Sequence, residues 1–153
     1  MNTLFVSMFR HRQVNDLRCI DDKLVPILKE LIRTKPYVSF FIGRNGEFDK
    51  YAASVIKRTQ KEAELKNSDM TLVLPYSVAD IEYYEKYYDS VIIPECVHGA
   101  HSKAAISLKN RWMVERSDLV IVYVERVGGG AYKAMKYAER LKKDVINICE
   151  WKE

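Results

Sequence analysis

The chain is poor in the residues that announce the more specialised protein classes. It has 3 cysteines in 153 residues, Cys19, Cys96 and Cys149. An odd number without CxxC spacing supports neither a disulfide framework nor a zinc site, and it fits a reducing, cytoplasmic setting. No apolar run approaches the ~18 residues of a membrane span. The apolar start Met1–Val6 is soon followed by Arg10 and Arg12, so neither a signal peptide nor a membrane partner is expected. The dinucleotide pattern GxGxxG, the phosphate loop GxxxxGK(S/T) and the nucleophile elbow GxSxG are all missing. His98 and His101 lie near Glu95 and Cys96, but glycine and irregular sequence separate them, so no tetrahedral ligand set follows and no metal is expected. No repeat, linker or low-complexity tract divides residues 1–153, which read as one domain able to bury roughly 70% of its unfolded surface.

What is present is an ordinary globular balance, 48% hydrophobic and 30% charged, with a net charge of +4. That charge is mild and spread out, and with no evident basic-aromatic groove it argues against nucleic acid. Lysine and arginine are nevertheless dense in 103–116 and 126–143, which favours a small anionic ligand. Strand-like runs recur at 4–8, 37–42, 70–74, 90–93, 118–124 and 144–149. Most are near-continuous in Val, Ile, Leu, Phe and Tyr, the pattern of strands covered on both faces. Apolar stripes at spacings of three and four predict helices over 20–33, 48–65, 102–116 and 131–143. This alternation predicts an α/β fold, a Rossmann-like three-layer α/β/α sandwich on a mostly parallel sheet. In the less regular stretch 76–101, Tyr83, Tyr84, Tyr87 and Tyr88 can form a base-stacking or partner surface, or a short helix covering a sheet edge.

A parallel sheet builds its sites at the C-terminal ends of its strands. After the first strand come Arg10, His11 and Arg12, which can bind a phosphate and a ribose, or form a solvated basic loop. The second strand, Val38-Ser39-Phe40-Phe41-Ile42, ends in Gly43-Arg44-Asn45-Gly46. Gly43 allows close approach, and Asn45-Gly46 suits a left-handed turn. Glu47, Phe48 and Asp49 follow, with both carboxylates placed for a helix start or for a ligand. The fifth strand leads to Gly128-Gly129-Gly130-Ala131, whose backbone N–H groups at a helix start make a phosphate cradle or a plain flexible turn. Asn110 and Arg111 occupy one face of the preceding helix, Trp112 and Met113 read as core, and Glu115 is an acid/base candidate.

Taken together, these residues resemble the SLOG superfamily, the Rossmann-like group uniting the Smf/DprA DNA-processing proteins with the LOG cytokinin-activating enzymes, in its stand-alone YpsA-like branch. The resemblance spans nearly the whole chain. It rests on His11-Arg12, Gly43 to Asp49, Leu72-Val73-Leu74-Pro75-Tyr76, Asn110-Arg111-Trp112-Met113-Val114, Ser117-Asp118, and Gly129-Gly130-Ala131 with Tyr137-Ala138. It implies a nucleotide-derived small molecule bound at the strand ends, with Asp49 or Asn110 at its ribose hydroxyls, Tyr76 or Phe48 at its base, and Pro75 also among the ligand-binding residues. It requires no cofactor, and a homodimer is expected. Arg10 stands where the family usually has glycine. The LOG-type signature PGGxGTxxE is replaced by Val127-Gly128-Gly129-Gly130-Ala131-Tyr132-Lys133-Ala134, without its threonine and glutamate. Loss of that carboxylate favours binding or sensing over hydrolysis. The enzymatic alternative is N-glycosidic cleavage or deoxyribosyl transfer, with Glu47, Asp49 or Glu115 as the carboxylate. Single-stranded DNA binding, by analogy with Smf/DprA, is the least favoured reading.

Overall fold

The computed structural model describes residues 2–10, 17–43, 47–63 and 66–149, and the side chains of all of these except 17–21 and 47–51. The strands are β1 (Thr3–Arg10), β2 (Tyr37–Ile42), β3 (Ser68–Val73), β4 (Ser90–Ile92), β5 (Leu119–Tyr123) and β6 (Asp144–Asn147). The helices are α1 (Leu17–Thr34), α2 (Glu47–Glu62), α3 (Ile81–Tyr87), α4 (Ser102–Glu115) and α5 (Gly129–Arg140), with a 3-10 turn at Glu95–Val97. The six strands form one sheet in the order β4-β3-β2-β1-β5-β6. Every pairing is parallel, so the sheet is wholly rather than mostly parallel.

Alternation along the strands sorts the core into two layers. Val6 and Met8 of β1, with Val38, Phe40 and Ile42 of β2, pack against Leu24, Leu28 and Ile32 of α1 and Val55 and Ile56 of α2. On the opposite face, Phe9, Phe41, Val120, Val122 and Val124 meet Met113 and Val114 of α4 and Ala131, Ala134, Met135 and Ala138 of α5. Trp112 packs edge-on against Phe41 at 5.5 Å, and Met113 is fully buried, as the sequence led us to expect.

Polar side chains fix the strand starts. The Tyr37 hydroxyl donates to Asp69 Oδ2 at 2.7 Å and the Ser39 hydroxyl to Asp69 Oδ1 at 2.6 Å. The hydrogen bond to Asp69 is the main cause that pushes the Tyr37 hydroxyl up to about 12. In β1 the Ser7 and Ser117 hydroxyls lie 2.6 Å apart, and Ser117 donates to the Met113 carbonyl. The Phe5 N–H donates to Asp118, whose own N–H donates back to the Phe5 carbonyl.

One expectation is corrected, and of the two alternatives for the tyrosine-rich segment the short helix is the one found. The last helix ends at Arg140 rather than at 143, because Lys142 takes a left-handed backbone (φ 59°). There the N–H of Lys143 reaches the Ala138 carbonyl and that of Lys142 the Glu139 carbonyl, which closes the helix in a Schellman turn. The tyrosine-rich segment is a short helix over the β4 edge. Tyr84 and Tyr88 are buried in the core, Tyr87 lies beneath the Lys57 ammonium at 3.8 Å, and Tyr83 is exposed. Among the described residues no helix is long and apolar enough to cross a membrane.

Candidate functional site

The strand order reverses between β1 and β5. The chain winds outward from β1 through β2 and β3 to β4, then returns to the other side of β1. At such a switch point the loops above neighbouring strands run apart and leave a crevice. Arg10 ends β1 beside Tyr123 of β5 and is only 9% exposed. It is a buried strand residue, which excludes the reading of this position as a solvated loop.

Gly43 follows β2 directly, and its role is steric. A Cβ there would lie 2.5 Å from Lys109 Nζ, so the missing side chain makes room for that ammonium group. Lys109 is 2% exposed, a burial reached by very few lysines. The next residue of α4, Asn110, turns to the other side of β1. Its Nδ2 would lie 3.5 Å from a Cβ at Gly130, and its Oδ1 is buried without a hydrogen-bond partner among the described residues. Consecutive residues of one helix thus reach the glycines after β2 and β5.

The glycines before α5 have a conformational reason. Gly128 caps the helix at φ 99°, ψ 167°, and Gly129 has φ 84°, both in regions that side chains avoid. Gly128 itself brings no capping side chain to this helix start. Gly128→Ala is expected to cost about 1–3 kcal/mol of stability, read as a lowered urea midpoint with helix content retained.

From Gly130 a cleft of about 320 Å³ runs between α4 and α5. This lies at the lower end of ligand-pocket sizes. Helix α4 contributes Lys103, Ile106, Ser107, Asn110 and Arg111, one face at helical spacing. Helix α5 contributes the cations Lys133, Lys136 and Arg140 and the rings of Tyr132 and Tyr137, and among the described residues no carboxylate lines the cleft. Arg111 and Arg140 lie 5.4 Å and 5.8 Å from the Tyr137 ring centre, and Lys136 lies 5.7 Å from that of Tyr132. The chain therefore does carry a basic-aromatic groove, contrary to the sequence reading. Its cations are scattered in sequence and converge only when α4 and α5 pack side by side. The lysine and arginine density in 103–116 and 126–143 was the available signal.

The remaining sequence candidates separate. Pro75 is buried and Tyr76 exposed just beyond β3, at the same edge of the sheet as Gly43. Ala131 packs its methyl into the core. Glu47, Phe48 and Asp49 open α2, but their side chains lie outside the described residues, as do His11, Arg12, Arg44, Asn45 and Gly46 entirely. Glu115 ends α4, three residues before the Asp118 that bonds the start of β1, so it sits at the opposite edge of the sheet from the glycine turns. There it accepts a 2.8 Å hydrogen bond from the Tyr137 hydroxyl, which raises the tyrosine pKa. His98 and His101 are exposed, and the described residues contain no cluster of three metal-ligating side chains.

No protein-family model matches the chain, and no curated protein matches it in sequence. Solved structures do match. DNA processing protein A (DprA) from Streptococcus pneumoniae superposes with a TM-score of 0.67 at 14% identity, over 93% of this chain and 49% of that one. DNA processing protein A from Helicobacter pylori, described for its single-stranded DNA binding mode, superposes with a TM-score of 0.61 at 14% identity, over 93% of this chain and 63% of that one. The chain thus spans about half to somewhat under two thirds of these proteins. At this identity the likeness is one of fold. The chain has the Rossmann-like fold seen in DprA.

Proposed function

We propose that this protein binds a nucleotide or nucleotide-derived small ligand at the C-terminal edge of its sheet, with the phosphate at the start of α5. The observation that carries this reading is the pairing of a glycine-started helix N-terminus with Asn110, a nine-tenths-buried amide beside it that lines the same cleft. The helix start supplies N–H donors and the positive end of the dipole. Arg111 and Lys133 add charge, and the Tyr132 and Tyr137 rings offer faces for a base. The YpsA-like assignment is part of this proposal and rests on Asn110-Arg111-Trp112-Met113 and Gly129-Gly130-Ala131. Binding without hydrolysis accords with the missing glutamate after Gly130.

Thermal denaturation with AMP, ADP and ADP-ribose, followed by mass spectrometry of each ligand, tests this reading. A ligand at a hundredfold its Kd is expected to stabilise by about 2.7 kcal/mol, a rise of roughly 5–10 °C, and to be recovered intact. Recovery as free base and sugar phosphate makes the protein a glycosidase, with Glu47 and Asp49 the first carboxylates to substitute. No shift with any of them rejects the reading.

A second reading is favoured by the α4–α5 groove itself. Its cations continue past the space of one phosphate to Arg140, and cations interleaved with aromatic rings suit a single-stranded nucleic acid. The fold likeness to a protein described as binding single-stranded DNA supports the same reading.

A further inference from the structure

Opposite charges collect at opposite ends of this sheet. At the β4 border, residues 80–89 carry Asp80, Glu82, Glu85 and Asp89 against one cation, Lys86. Glu82 and Glu85 are exposed on α3, and neither forms an ion pair among the described residues. Beside them the Tyr83 ring is 64% exposed and stacks on Tyr87, which the Lys57 ammonium covers. The α4–α5 groove is the counterpart in the other layer. Its Lys103 and Lys133 are exposed and likewise form no ion pair among the described residues, and its Tyr132 and Tyr137 rings are half-buried.

We infer that the groove is a docking surface for α3 of a second copy of this chain. The two surfaces match in charge and in length. Helix α3 has 7 residues and is about 10 Å long, the same distance that separates Lys133 from Arg140 along α5. Glu82 and Glu85 share the three-residue spacing of Lys133 and Lys136, so both carboxylates meet ammonium groups in one register. Tyr83 then enters among the tyrosine rings and guanidinium groups of the groove, a pairing favoured at the centre of interfaces. A chain cannot fill its own groove. Helix α3 lies at the β4 border in the α1–α2 layer, whereas α5 packs against β1 and β5 in the other layer, some 15–20 Å along the sheet. Because the two surfaces differ, each docked copy keeps one of them open, and association runs head to tail rather than about a two-fold axis. One short helix covers less than the ~800 Å² per partner of a standard interface, so the contact is weak, in the micromolar to millimolar range. Docking of α3 requires neither ligand reading above.

Sedimentation velocity of the wild-type chain from about 0.01 to 0.5 mM tests this, at about 0.05 M and about 0.5 M salt. The sedimentation coefficient is expected to rise with concentration at low salt and to stay at the monomer value at high salt. Glu82→Lys with Glu85→Lys, and separately Lys133→Glu with Lys136→Glu, should each weaken association roughly a hundredfold, because like charges then face one another. An equimolar mixture of the two variants should associate again, since each retains the surface the other has lost. Tyr83→Ala, which alters no charge, is expected to weaken association roughly tenfold and keeps the test open if a reversed variant fails to fold. A wild-type chain that stays monomeric across the low-salt series overturns the inference. So does undiminished association in the folded α3 variant, as two-fold pairing of grooves would give, or in Tyr83→Ala. A mixture that stays monomeric while both variants keep their helix content overturns it as well.

Discussion

Reversing Lys103, Lys133 and Lys136 to glutamate together is expected to abolish anion binding in the groove while the fold survives. The three are exposed cations of one cleft that no carboxylate lines among the described residues, and they approach it from both helices. For a labelled single-stranded oligonucleotide, loss of three phosphate contacts should lower the slope of log K against log salt by about 2 and the low-salt affinity by roughly a hundredfold or more. For AMP the same variant should lose its thermal stabilisation. Unfolding stability itself should change little, since the one ion pair removed among the described residues, Lys136 with Glu139, is half exposed on both sides. Fluorescence anisotropy across a salt series, with circular dichroism of the free variant, checks both halves. Unchanged binding with an intact fold would move the ligand away from α4 and α5.

Phe40→Ala is expected to have the largest effect on stability. Phe40 is wholly buried in β2, registered between Val6 of β1 and Met70 of β3 and packed within the α1–α2 layer. Truncating such a ring removes its transfer free energy and leaves a cavity that the flanking strands cannot fill, a cost of about 3–5 kcal/mol. Against a total of about 5–15 kcal/mol, that loss should move the urea midpoint by more than about 1 M. The effect on ligand affinity, measured below the transition, should be small, because Phe40 faces α1 and α2 whereas the groove lies between α4 and α5.

How much was legible in the sequence followed from the range of the interactions. The strands and helices were read closely because alternation and three-four spacing are local, and β2 was predicted with the boundaries it has. The end of α5 was missed because nothing in the side chain of Lys142 advertises a left-handed backbone, which glycine or asparagine would have done. Gly43 was noticed for the right property and the wrong neighbour. Close approach is needed, but the group that approaches is Lys109, 66 positions later, and only the packing of α4 over β2 reveals it. Glu115 was a reasonable carboxylate by composition, and its placement at the far edge of the sheet depends on where α4 ends. The groove escaped detection for the same reason as the lysine. Its charges belong to two helices that share no sequence pattern and meet only across the layer.

The position of β1 also has a consequence for when the protein can fold. Of the six strands β1 is made before the other five and lies in the middle of the sheet, and one of its two flanks is made more than a hundred residues later. Val6 pairs with Leu119, and the Ser7 hydroxyl waits for Ser117 and the Met113 carbonyl. At ordinary rates of synthesis, about 5–20 residues per second, that wait lasts roughly 5–20 s. During it, the hairpinless unit of β1, α1 and β2 can assemble along one border, while the other border of β1 stays an open template lined by Phe5 and Phe9. The nascent chain therefore passes through a stage in which a central strand of its sheet is half paired, and the arrival of α4 and β5 closes it.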